Sequence, residues 1–102
     1  MKQLLAKESF SIKKSLRIMT KHGSKCLIVV DEKNKLLGTL SGGDLRRAIL
    51  NGIKLGSLIK SFYNKKPAFF EKNKFSLFQI KQAFLKGSFD LIPIINQNKQ
   101  LI

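Results

Sequence analysis

The chain has 102 residues, enough for one modest core, and its 43% hydrophobic content is too high for a disordered segment. Twenty basic residues against six acidic ones give a net charge of +14, a balance that would suit a polyanion or an anionic surface. The single cysteine, Cys26, excludes an internal disulfide, and no apolar run approaches membrane-spanning length.

The elements follow in chain order. Met1-Lys2-Gln3 opens no secretory signal, and the compartment reads as cytoplasm. Lys2 to Leu5 is a short strand. Ser9 and Ser11 are both possible N-caps of a first helix; Ile12, Leu16 and Met19 share its apolar face and Gly23 ends it. His22, just before that glycine, is placed to satisfy late helix carbonyls. Cys26 to Val30 is continuously apolar, like a strand covered on both faces, with Cys26 as a buried structural thiol. Asp31 to Lys35 makes a polar turn and Leu36 to Leu40 pairs back. Ser41-Gly42-Gly43 then opens a second helix at Asp44, with Leu45, Ala48 and Ile49 as its stripe and Asn51-Gly52 as its end.

Leu55 to Tyr63 is read as a short connecting helix, and Pro67 forces an extended approach into Ala68-Phe69-Phe70. Ser76 caps a further helix with Leu77, Ile80, Ala83 and Phe84 on its inner face, ended by Gly87. Leu91 to Asn96 is a strand with Pro93 inside it, which argues for a bulge or an edge position. Gln97-Asn98-Lys99 turns the chain, and Leu101-Ile102 begins another strand.

No catalytic constellation emerges. One histidine gives no histidine pair for a metal, there is no Cys-x-x-Cys, and Gly42-Gly43 does not match a Walker loop. The charge is mostly lysine, scattered, with Arg17, Arg46 and Arg47 as the only arginines. Readers of nucleic acid favour the bidentate fork of arginine. Abundant Lys, Asn, Ile and Phe fit an AT-rich coding bias, so the lysines are read as a solvated surface, with no specific nucleic-acid partner.

The stretch with most chemistry is the strand–turn–helix at Leu40-Ser41-Gly42-Gly43-Asp44. Such a turn leaves backbone N–H groups pointing outward at a helix N-terminus. Ser41 adds a hydroxyl and Asp44 a carboxylate, a set suited to a phosphate and a ribose diol. The same residues also make a helix cap, so capping and binding both remain open on the residues alone.

The apolar pattern repeats at an offset of 65 positions. Phe10-Ser11 meets Phe75-Ser76, and Leu27 to Asp31 meets Ile92 to Asn96. With its three motifs, Ser11 to Glu32, Gly38 to Arg47 and the inter-repeat segment Leu55 to Pro67 with its Asn64-Lys65-Lys66-Pro67, the chain resembles a tandem pair of CBS domains, the cystathionine-β-synthase-type regulatory module. The run Asp44 to Gly52 is most similar to CBS pairs fused ahead of bacterial sugar-phosphate nucleotidyltransferases. The turn before that run departs from many of them at Gly42, where they carry an acidic residue.

The resemblance implies an α/β fold of two β-α-β-β-α repeats related by pseudo-twofold symmetry. Residues 1–54 would form the first repeat, 55–66 the connector and 67–102 a second repeat that stops short of its own Gly-turn-Asp segment. It implies a non-catalytic regulatory module that binds an adenine nucleotide (AMP, ADP or ATP) between the repeats, needs no cofactor or metal, and forms a homodimer. A catalytic nucleotidyltransferase domain would follow in cis. Ser41 would contact phosphate, Asp44 the ribose, and Gly42 and Gly43 would shape the turn. Leu4, Leu5, Leu40, Pro67 and Ala68 are the candidates to pack on the base. A ligand-free interaction module and, third, a basic nucleic-acid binder are the rival readings.

Overall fold

The computed structural model describes residues 4–66, 69–71, 79 and 93–101. Strand β1 (Leu5–Ala6) leads into helix α1 (Ile12–His22), strands β2 (Cys26–Val30) and β3 (Leu36–Ser41), and helix α2 (Gly42–Leu50). A 3-10 turn (Ile59–Ser61) and strands β4 (Phe70–Glu71) and β5 (Ile94–Ile95) follow. β2 is the centre of a three-stranded sheet, parallel to β1 and antiparallel to β3. The first half is therefore the expected β-α-β-β-α unit.

Local signals explain most of its borders. Ser11, and not Ser9, caps α1: its Oγ accepts from the Lys14 N–H at 3.0 Å. Gly23, at φ +62°, supplies the left-handed residue that closes the helix, and the Ser24 N–H donates to the Met19 carbonyl at 2.9 Å. Backbone groups thus close the helix end, and His22 is exposed in its last turn. All five residues of β2 are buried, Cys26 among them. Around Leu27 and Val29 pack Ile12 and Met19 of α1, Leu40 of β3, and Leu45 and Ala48 of α2. Each large aliphatic chain removed from water there contributes roughly 1.5–3 kcal/mol.

The connector differs from expectation. Residues 55–63 do not form a continuous helix; a single 3-10 turn at Ile59–Ser61 stands in its place. The backbone groups that a helix would need are engaged elsewhere. The carbonyls of Leu55 and Ser57 accept from the N–H groups of Lys13 and Ile12, and the Ile59 N–H donates to Phe10. Asn64 exchanges hydrogen bonds with Thr39, at 2.7 and 3.0 Å, so the connector runs along β3. Gly38 makes this possible, since a Cβ there would run into the Asn64 carbonyl and the Tyr63 ring.

The second half begins to repeat the first. β4 and β5 are parallel, as β1 and β2 are, and stand at the expected offset from them. Ile95 is bridged to Leu101 on its other side, as β2 is to β3. Pro93 is buried and immediately precedes β5, where its missing N–H interrupts no ladder bond. Gln79 is helical. Ser76, Leu77, Ile80, Ala83, Phe84 and Gly87, named for the helix around it, lie outside the described residues.

The two polar turns are the clearest duplicated feature. The Asp31 carboxylate accepts from the N–H groups of Lys33 and Lys35 at 2.8 and 2.9 Å. The Asn96 side-chain oxygen accepts from those of Asn98 and Gln100 at 2.9 and 3.0 Å. Asn34 and Lys99 occupy the same left-handed position, each at φ +63°. The turns face each other, with Lys35 and Gln100 joined in an antiparallel bridge.

Candidate functional site

β3 delivers Ser41 to the start of α2, and the two form a closed cap. The Ser41 Oγ accepts from the Asp44 N–H at 3.0 Å, while the Asp44 Oδ2 accepts from the Ser41 N–H at 2.9 Å. This reciprocal capping box starts α2 at Gly42 and not at Asp44, which becomes its third residue. The Gly42 N–H is taken by the Lys25 carbonyl at 2.9 Å.

Several groups stay available to a ligand. The Ser41 hydroxyl accepts in the cap and keeps its own proton to donate. The Gly43 N–H lies in the first turn of α2, where no intrahelical carbonyl reaches it. A carboxylate offers about four acceptor positions, of which Asp44 uses one on Ser41 and one on Arg47. Arg47 was not among the site candidates read from the sequence. Its Nη2 lies 2.6 Å from the Asp44 Oδ1, with the side chain 70% exposed, so a guanidinium stands at the rim of the cap. The i, i+3 spacing from Asp44 was the available signal. Arg46 is exposed.

Asp44 and Arg47 open onto a surface hollow of about 330 Å3 lined also by Ala48, Asn51, Ile53 and Phe62. That volume is at the small end for organic ligands and suits a nucleoside-sized group. None of the residues expected to pack on the base is among those lining the hollow. Leu40 is fully buried in the core, Leu4 and Leu5 are half-buried, and Pro67 and Ala68 lie outside the described residues.

The connector beside β3 carries a second polar contact. The Tyr63 hydroxyl donates to the Glu8 carboxylate at 2.6 Å. Burial, reinforced by the hydrogen bond and charge of Glu8, pushes the Tyr63 phenol up to about 12. No cluster of three or more His, Cys, Asp or Glu residues able to hold a metal ion occurs among the described residues. None of their helices is long and apolar enough to cross a membrane.

The described residues thus give one β-α-β-β-α unit with a serine cap at the end of β3, and the parallel strand pair of a second unit. Residues 3–51 match the CBS domain family. An uncharacterised protein of Helicobacter pylori (strain ATCC 700392 / 26695) is 30% identical over 94 residues, covering 92% of this chain but 29% of that protein. The chain thus spans less than a third of this curated relative. CBSX2, a CBS-pair protein from Arabidopsis thaliana, superposes with a TM-score of 0.83 at 19% identity, over 99% of this chain and 78% of that one. CBSX2 in complex with AMP gives the same TM-score at 20% identity, over 96% and 76%. The cytosolic domain of the Mg2+ channel MgtE in complex with ATP gives 0.79 at 19% identity, over 97% and 40%. Residues 3–51 thus match the CBS domain family, and the chain as a whole has the fold of a CBS-domain pair.

Proposed function

We propose that this chain is a non-catalytic regulatory module that binds an adenine nucleotide at the Ser41–Asp44 cap. One observation carries the reading: a hydroxyl, a first-turn N–H, a carboxylate and a guanidinium converge at the start of α2. The hydroxyl and N–H suit a phosphate, Asp44 a ribose diol, and Ile53 and Phe62 offer an apolar wall beside it. The AMP and ATP complexes of CBSX2 and MgtE support this choice of ligand class. Gly42 and Gly43 keep the turn open, and Pro67 and Ala68 of the second repeat remain candidates to cover the base. The repeat boundaries at 1–54, 55–66 and 67–102 belong to the same reading. Calorimetry with AMP, ADP and ATP tests it, with binding by wild type and its loss in Asp44→Ala as the expected result.

A ligand-free interaction module is the second reading, favoured by the engagement of Ser41 and Asp44 in capping. Absence of binding by all three nucleotides would establish it. Exposed Leu50, Leu58 and Phe69 support a homodimer in either case, and light scattering measures it. A sugar-phosphate nucleotidyltransferase as the parent enzyme rests solely on the resemblance of the run Asp44 to Gly52. Sequencing of the gene around this segment tests it, through a catalytic Gly-rich signature. Affinity for nucleic acid at about physiological salt should be weak and indifferent to sequence.

A further inference from the structure

A groove of about 370 Å3 runs along α1, lined by Lys13, Leu16, Arg17, Thr20, Lys21 and Leu55. It is built by the connector, whose Leu55 carbonyl accepts from the Lys13 N–H at 3.0 Å and so holds Leu55 beside the helix. Leu55 is 46% exposed, an apolar side chain in water next to half-buried Leu16. Lys13, Arg17 and Lys21 are exposed and spaced at i, i+4 and i+8, a row of cations about 12 Å long on one side of the helix.

Among the described residues these cations have no counter-charge. α1 contains no acidic residue. Elsewhere Glu8 is tied to Tyr63, Asp31 to its own turn, Glu32 to Lys7, and Asp44 to Ser41 and Arg47. Among the described residues, Lys13, Arg17 and Lys21 meet no carboxylate. Two copies of this face would oppose six cations across an apolar seam, so like-charge repulsion argues against a second copy as occupant. A nucleic acid would find no ring to stack on, since none of the six lining residues is aromatic.

We propose that this groove docks an acidic amphipathic polypeptide segment. Its aliphatic side chains would cover Leu16 and Leu55 while its carboxylates, about one helical turn apart, meet Lys13, Arg17 and Lys21. The proposal is independent of nucleotide binding.

Anisotropy of two fluorescent helical peptides tests it, one with a leucine ridge flanked by glutamates and one with the same ridge flanked by lysines. The glutamate peptide should bind at least about tenfold more tightly, and Lys13→Glu/Arg17→Glu/Lys21→Glu should abolish that preference. Lys33→Glu/Lys60→Glu/Lys66→Glu changes the net charge equally and should lower affinity less than about threefold. Leu55→Ser leaves the charge unchanged and should weaken binding several-fold, by removing the apolar floor. Equal losses in the two triple variants, or no loss in Leu55→Ser, would reduce the groove to general polyanion attraction and overturn the proposal. So would tighter, groove-dependent binding of a single-stranded oligonucleotide than of the glutamate peptide, or a dimer dissolved by the groove substitutions.

Discussion

Leu36 and Leu101 are equivalent residues of the two repeats, and each donates its N–H to the other repeat's turn. The Leu36 N–H reaches the Lys99 carbonyl and the Leu101 N–H reaches the Asn34 carbonyl, both at 2.9 Å. Donors and acceptors alike are related by the 65-residue offset, so the local twofold passes between Lys35 and Gln100. Backbone groups make this reciprocal pair, and two side chains add to it: the Asn34 Nδ2 donates to the Leu101 carbonyl at 3.1 Å and the Gln100 Nε2 to the Lys33 carbonyl at 3.0 Å.

The cap separates stability from binding. Ser41→Ala removes the acceptor for the Asp44 N–H and should cost about 0.5–2 kcal/mol in denaturant unfolding. Asp44→Ala loses that reciprocal contact and the Arg47 pair, and should weaken AMP or ATP binding about tenfold or more. Arg47→Ala leaves the capping box in place. It should therefore alter nucleotide affinity with little change in melting temperature, measured by calorimetry and thermal unfolding side by side.

Gly38→Ala should be among the most damaging conservative changes. The added methyl group meets the Asn64 carbonyl and the Tyr63 ring. Relief requires the connector to lift from β3, breaking the Thr39–Asn64 pair. Overpacking of this kind costs about 1–3 kcal/mol, and a melting temperature lower by at least about 5 °C is expected.

Alkaline pH should loosen the connector. The Tyr63 phenol rises from 10.0 to about 12 in the folded chain. Its protonated form is favoured by folding, so the contribution is complete below pH 10 and is lost as pH climbs towards 12. That is an order-of-magnitude loss of about 2–3 kcal/mol. Tyr63→Phe should be less stable at neutral pH, by about 1–2 kcal/mol, and show a flatter alkaline limb in stability measured against pH.

Acid should act on only one of the two turns. The N–H of Lys35, then that of Lys33 and the charges of both lysines, hold the Asp31 carboxyl below its ordinary value of 3.8, against a smaller opposing effect of burial. The turn's contribution is present above that value and disappears as pH falls through the lower folded one. Asn96 makes the same pair of bonds without a titrating group. Asp31→Asn should thus keep the fold and reduce the loss of melting temperature between neutral pH and acid.

Much of the first repeat was legible because its signals are local. Ser11, Gly23, the apolar run at Cys26 to Val30 and the Ser41 turn each fix an element through their own neighbours. The connector was not legible, because its shape depends on partners distant in sequence: Leu55 and Ser57 close α1, and Asn64 pairs with Thr39. No periodicity within residues 55–63 records those contacts. At the candidate site, Ser41 and Asp44 were found by motif. Arg47 was not among them because its i, i+3 spacing from Asp44, though visible in the sequence, is common on exposed helix faces and does not by itself mark a site.

The bonds exchanged by the two turns also bear on how such a chain could arise. The Leu36 and Leu101 bonds use main-chain groups at the same positions of each repeat, so nothing in that pair requires the repeats to share one polypeptide. Two separate copies of a single repeat could make the same reciprocal contacts as an isologous pair. Joining them through the connector would raise their effective concentration without any new bond at the axis. Once joined, each half is free to diverge in side chain, as Asp31 and Asn96 have, with one turn left sensitive to acid and its twin indifferent to it.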